Sequence, residues 1–227
     1  MMNLPRSFPD LKRMAQERDG GKHRLADDIK LKLGQLGIAP RVVVDWGCGS
    51  ITITRRLAHN FPEAQVFGYD VKDHHSGIPL SDLSNLQFGI IDPFTLAATV
   101  ANSADFVLLS GVMHHVEPED EDKLLSDVHG ALNEDGILLI HEHCLSPNRF
   151  RRKLEKLLLT MVEFGINHGP EDMSCSYNFL TRAMARDILN RNGFEVFDEV
   201  DSNGKYVTLP SLNKNTVYWC RKNRLPS

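Results

Sequence analysis

Two glycines, three strand-end carboxylates and a set of histidines are the residues here whose types and spacing suit chemistry. Asp45-Trp46-Gly47-Cys48-Gly49 places an acid two positions before a Gly-x-Gly pair. The glycines let the main chain turn sharply and pass close to a ligand. A carboxylate in the turn, with no third glycine, suits a cationic ligand better than a dinucleotide pyrophosphate. Asp70 stands 21 positions after Gly49, close to the spacing of about 20 at which nucleotide-binding folds hold a ribose with an acid. Asp92 ends the next apolar run, Ile90-Ile91-Asp92-Pro93. His114-His115 and His141-Glu142-His143 bring four imidazoles. In a strand, His141 and His143 share one face and Glu142 takes the other. Three roles suit such a group: a metal site, which needs three or four donors at about 2 Å; a general base or substrate-orienting group; or hydrogen-bonded histidines around a pocket rim. No metal is assigned.

These residues need elements to position them. Val42-Val43-Val44 reads as a buried parallel strand. A helix follows the glycines from about Ile51 to Asn60, stopped by Pro62. Further strands are expected over 64–70, 86–92 (broken by Pro93), 105–110 (ending in Gly111) and 137–140. Pro118 opens a helix carrying Leu124, Leu125, Val128 and Leu132. Before the glycine motif, Leu25, Ile29, Leu33 and Leu36 share a helical face, while the first ~20 residues show no clear period. After the fifth strand the alternation breaks. A helix is expected over 149–164, basic at first and then Leu-rich, with Leu154, Leu157, Leu158 and Met161 on one face. Thr181 then caps a helix running to Gly193, with strands over 194–197 and 216–220. Strands alternating with helices predict an α/β fold built on a doubly wound, mainly parallel sheet.

Asp45-Trp46-Gly47-Cys48-Gly49, with Asp70 and the post-strand segment Ser110-Gly111-Val112-Met113-His114-His115-Val116, resembles the class I S-adenosylmethionine-dependent methyltransferases. The likeness runs from Val42 to about Leu145 and, more weakly, from Thr181 to Cys220. It implies seven strands with an antiparallel last strand, helices on both faces and a helical insertion after the fifth strand. It implies one domain: residues 1–40 as an N-terminal cover, 42–145 as the cofactor core, 146–176 as a substrate lid and 177–222 as the C-terminal helix and strands. It implies that Asp45, Gly47, Cys48, Gly49, Asp70, Val71, Asp92, Pro93 and Ser110 hold S-adenosylmethionine and its product S-adenosylhomocysteine. Asp45 would balance the ammonium group, Asp70 the ribose hydroxyls and Asp92 the adenine amino group. His114, His115, His141 and His143 line the methyl-transfer face, where a base is needed only for an acceptor such as a hydroxyl. One departure stands out: Ile51 occupies the place of the family's third glycine.

Composition narrows the class. The formal net charge is -4 over 227 residues, which does not suit binding nucleic acid by bulk electrostatics. No run approaches the ~20 apolar residues of a membrane span, and Cys48, Cys144, Cys175 and Cys220 show no zinc spacing. A cytoplasmic enzyme is expected, acting on a small-molecule acceptor, with no membrane partner. RNA, a cap or a protein is the alternative acceptor, met through Arg149, Arg151, Arg152, Lys153 and Lys156. A further alternative is a relative that binds cofactor or partner without turnover, suggested by Ile51. A nicotinamide dehydrogenase is opposed by Asp45 and the missing third glycine.

Overall fold

The computed structural model describes residues 8–73, 82–166, 177–202 and 215–223. Its frame is one sheet with strand order β3-β2-β1-β4-β5-β8-β7. The strands are β1 (Val42–Trp46), β2 (Gln65–Asp70), β3 (Leu86–Ile90), β4 (Ala104–Ser110), β5 (Leu132–Leu145), β7 (Phe194–Asp201) and β8 (Asn215–Lys222). A two-residue β6 (Leu180–Thr181) pairs with the end of β5. β1 to β5 run parallel, while β8 is antiparallel to both β5 and β7. This is the doubly wound sheet that the sequence predicts, with the antiparallel last strand that the family resemblance implies.

Alternating side chains give the sheet its two cores. Val43, Phe106, Leu108 and Leu139 point to α1 (Phe8–Gln35) and α2 (Thr52–Asn60), where Leu25, Ile29, Leu33 and Leu57 close the layer. Val44, Val107, Leu109, Leu138 and Ile140 point to α3 (Leu96–Val100), α4 (Glu121–Ala131) and α6 (Arg182–Arg191), against Leu96, Leu124, Leu125, Val128 and Ile188. Burying each such aliphatic side chain stabilises the fold by about 1.5–3 kcal/mol, so one period of two along each strand fastens helices to both faces. The fifth helix, α5 (Arg149–Ile166), follows β5. Thr181 caps α6 as expected, accepting the Met184 N–H at 3.3 Å.

Several boundaries differ from the sequence reading. α1 begins at Phe8, well before its periodic stretch. β5 begins at Leu132 rather than 137, across an irregularity between Ala104 and Phe106. The Pro118 helix starts at Glu121, and α3 was not expected at all. Of the expected lid, 167–176 with Cys175 lies outside the described residues, as do 1–7 of the N-terminal cover. No described helix is long and apolar enough to cross a membrane.

The site is positioned by the strand order. β1 is flanked by β2 on one side and β4 on the other, so the winding reverses at β1. Ligands of open α/β sheets bind in the crevice at the carboxyl ends where this reversal occurs. The glycine motif, Asp70 and Ser110 all stand at those ends.

Candidate active site

The loop after β1 is clamped to β2. The Gly47 and Cys48 N–H groups both donate to the Tyr69 carbonyl, at 2.8 and 3.1 Å. The Gly49 N–H donates to Asp70 Oδ2 at 2.8 Å. Asp70 Oδ1 accepts the Val71 and Lys72 N–H groups at 2.8 and 3.2 Å. The two glycines serve different ends. Gly47 has φ +73°, and a Cβ there would lie 2.5 Å from Val112 Cγ2, so the protein itself requires this glycine. Gly49 has φ +51°, and a Cβ there would meet nothing within 4 Å. Its open side is where a ligand can approach main chain.

Ile51 explains why a third glycine is expected. Its φ is +51°, the left-handed region, at the head of α2. The isoleucine adopts the glycine conformation and buries its side chain completely. Asp45 lies beneath the loop, 1% exposed, and accepts the Thr54 hydroxyl at 2.6 Å. Burial raises its pKa from the ordinary 3.8 to about 6, against the Thr54 hydrogen bond and the nearby Lys22 charge. Cys48 is a buried thiol whose pKa burial pushes well up, which suits a packing role over a nucleophilic one. Val71, Asp92 and Pro93 are exposed at the neighbouring strand ends, and the Ile91 N–H donates to the Asp70 carbonyl at 3.0 Å. The structure thus brings Asp45, Gly47, Cys48, Gly49 and Asp70 into one cluster, with Asp92 beside it.

These residues can be tested against the ligand the sequence implies. A carboxylate accepts about four hydrogen bonds, and backbone groups supply three to Asp70. A two-point grip on ribose hydroxyls therefore fits if the longest of these, from Lys72, gives way. Gly49 gives its N–H to that carboxylate and keeps its Cβ side open, so an acid suited to a ribose and main chain open to a ligand meet at the same residue.

The four histidines separate into two groups. His141 is buried between β4 and β8. Its Nδ1 lies 3.1 Å from Ser110 Oγ and its Nε2 3.1 Å from Asn215 Nδ2. With Asn215 donating to Nε2, the ring proton sits on Nδ1 and is donated to Ser110. Burial, aided by the nearby His143, lowers its pKa from 6.5 to about 4, so His141 is a neutral strut. Ser110, expected at the cofactor, is its partner.

His114 is the centre of the second group. It lies in the single turn Met113–His115 after β4, and its Nδ1 is 2.7 Å from Glu142 Oε1, both residues being almost fully buried. The His143 N–H also donates to Glu142, at 2.8 Å. Burial would raise the Glu142 pKa, but the charge and hydrogen bond of His114, with His143 and its N–H, outweigh it and hold the carboxyl below its usual range. An ionised Glu142 makes Nδ1 the donor, while Nε2 is itself buried. Phe179 stacks on the His114 ring at 5.3 Å, and Tyr177 stacks on Phe179 at 5.8 Å. His115 and His143 lie 4.1 and 5.6 Å from His114, ring to ring. The Asn178 N–H donates to the His114 carbonyl at 2.8 Å, fastening this aromatic segment to the histidine turn. Leu145 and, from α5, Leu159 complete the packing around Tyr177 and Phe179. Among the described residues, no three His, Cys, Asp or Glu side chains converge in metal-ligating geometry.

Sequence reasoning missed several of these residues, Asn215 and Asn178 among them. Strand alternation put Glu142 on the face away from the histidines of its own strand, correctly, but gave no sign that His114 waits on that face. Thr54 lies one turn into a helix, with nothing to mark it as the partner of Asp45. Tyr177 and Phe179 are an i, i+2 aromatic pair, and that spacing before a two-residue strand was the available signal.

Comparison with known proteins bears on the family and the fold. Residues 14–199 match the methyltransferase domain family. A trans-aconitate 2-methyltransferase of Methylobacterium radiotolerans is 29% identical over 127 residues, 56% of this chain and 46% of that protein. The chain thus spans less than half the length of that curated relative. The 1,6-didemethyltoxoflavin-N1-methyltransferase of Burkholderia thailandensis, solved with its substrate and S-adenosylhomocysteine, superposes with a TM-score of 0.64 at 17% identity. That match covers 98% of this chain and 94% of the other. The magnesium protoporphyrin IX methyltransferase of Synechocystis, solved with S-adenosylhomocysteine, gives 0.63 at 18% identity over 97% and 90% of the two chains.

Proposed function

The chain belongs to the methyltransferase domain family, and from that premise we propose that it is a cytoplasmic enzyme transferring the methyl group of S-adenosylmethionine to an O, N or C nucleophile of a small molecule. The observation that carries the reading is the Asp70 carboxylate held at 2.8 Å from the Gly49 N–H, beside the open side of Gly49. Bound cofactor supplies an electrophilic methyl on a good leaving group. The chain then has to align the acceptor and keep water away. Asp70 takes the ribose hydroxyls, Asp92 and Pro93 flank the adenine, Val71 borders it, and Asp45 contributes its charge from beneath the loop. Of the two regions expected as covers, the described parts 8–40 and 146–166 act as covers. Ile51 keeps the left-handed turn that a glycine would supply, so the departure from glycine does not oppose cofactor binding.

For a hydroxyl acceptor, the His114–Glu142 pair is the candidate base, with Glu142 holding Nδ1. The trans-aconitate and 1,6-didemethyltoxoflavin enzymes support a small-molecule acceptor without favouring a hydroxyl. Calorimetry with S-adenosylhomocysteine and NAD tests the cofactor assignment. Binding of the former alone is expected, weakened by about 1.5–3 kcal/mol in Asp70→Ala, the scale of hydrogen bonds to a charged group. Preference for NAD, or a loss below twofold in a folded Asp70→Ala, contradicts it. His114→Ala should cut kcat by about 10²–10⁴ with S-adenosylhomocysteine affinity unchanged. Undiminished kcat would assign the histidines to the framework.

A further inference from the structure

Helix α5 is inside out with respect to water. Its inner side carries a carboxylate, Glu155, 6% exposed, next to Leu159. Glu155 is held there by the Ser146 N–H and Arg151 Nε, each at 2.7 Å. Its outer side presents Phe150, Leu154 and Leu157, which are 83, 50 and 58% exposed. At about 100° per residue these three lie in one stripe about 60° wide, on the side opposite Leu159. Single exposed apolar residues need no explanation, but a continuous stripe marks an interaction surface. Exposed cations border it: Arg149, Lys153 and Lys156 along one flank, Arg151 on the other. The segment 149–156 holds five cations and a single, buried carboxylate in a chain of net charge -4.

We propose that α5 docks flat on an anionic lipid surface. Phe150, Leu154 and Leu157 enter the boundary between headgroups and acyl chains, while the flanking Arg and Lys side chains meet lipid phosphates. This division of a helix into an apolar stripe and basic flanks is what an interfacial helix requires. A helix lying in the interface needs no membrane-spanning length, so the absence of a spanning helix among the described residues is compatible with it. Charge selects the occupant. A second copy of the chain would set one cation cluster against another across a two-fold axis. Single-stranded RNA would want the cations central, with aromatic rings for bases to stack on; here the centre of the face is one ring and two leucines. Leu159 packs with Tyr177 and Phe179, and Phe179 stacks on His114, so the docked surface is one helix away from the histidines.

Vesicle flotation of the full chain decides it, using phosphatidylcholine with and without phosphatidylglycerol over a range of salt. The wild type should float with the anionic vesicles, stay behind with pure phosphatidylcholine, and release as salt rises. Phe150→Ser/Leu154→Ser and Lys153→Glu/Lys156→Glu should each lower the bound fraction by about tenfold or more, with the thermal melt of the wild type. Failure of the wild type to float overturns the proposal. So does anionic-vesicle binding that survives Phe150→Ser/Leu154→Ser, which would leave a purely electrostatic face. Self-association, or binding to homopolymer RNA, lost in those variants while vesicles are ignored, would overturn it in favour of the other occupants.

Discussion

At the scale of single residues, Asp45 shows how one carboxylate can cost stability and still be kept. Burial lifts its pKa from 3.8 to about 6. A raised folded-state pKa means that the folded chain holds the proton more tightly than the unfolded chain. The stabilisation is complete below pH 3.8 and is lost as pH climbs through 6. The shift of about two units corresponds to about 3 kcal/mol. Asp45→Asn keeps an acceptor for the Thr54 hydroxyl and removes the charge. Its stability relative to wild type should therefore rise by about 3 kcal/mol between pH 4 and 7 in urea titrations, while its affinity for S-adenosylmethionine falls. A pH-independent difference would place Asp45 in a solvated site. His141 titrates with the opposite sign: its pKa is lowered to about 4 by burial, so its contribution is present above pH 6.5 and lost as pH falls toward 4. The sequence named both residues but not their surroundings. Residue type and spacing marked Asp45, Asp70 and the histidines as chemically capable. Which imidazole is a neutral strut and which pairs with a carboxylate depends on Asn215 and Glu142, placed by strand pairings that no local pattern records.

At the scale of elements, the junction of the β1 loop with α2 tests how backbone and side chain share a position. Ile51 sits at φ +51° and is fully buried. A non-glycine residue in this region costs about 1–3 kcal/mol, whereas deleting a buried aliphatic side chain costs about 2–5 kcal/mol. Cavity formation wins, so Ile51→Gly should lower the unfolding free energy by about 1–3 kcal/mol by chemical denaturation, although glycine is the residue its family prefers. A more stable variant would show that the strain exceeds the packing. Elements with a strong period were legible in advance: the valine strand β1, the leucine face of α4, and α6 with its Thr181 cap. The ones misjudged lack that period. The first turns of α1 carry only Phe8, Leu11, Met14 and Ala15 before a polar run from Gln16 to Arg24, α3 has five residues, and the start of β5 lies in Asn133-Glu134-Asp135-Gly136, which reads as a turn because its strand character comes from neighbours in the sheet.

At the scale of the whole molecule, the order β3-β2-β1-β4-β5-β8-β7 does what no single element can. It reverses the winding at β1 and so gathers the glycine loop, Asp70, Ser110 and the His114–Glu142 pair at one edge. The parallel half of that order was legible from strands alternating with helices. The antiparallel return of β8 between β5 and β7 is a matter of topology, and came only through family resemblance. The central claim is that this edge moves a methyl group to a small molecule. Its most direct test is transfer of label from S-adenosylmethionine, tritiated in the methyl group, into a cell extract separated by size. Label is expected in the small-molecule fraction, reduced at least about tenfold in Asp70→Ala when the cofactor is well below saturation. Label confined to RNA or protein, or no transfer to any fraction by a protein that binds S-adenosylhomocysteine, would contradict it.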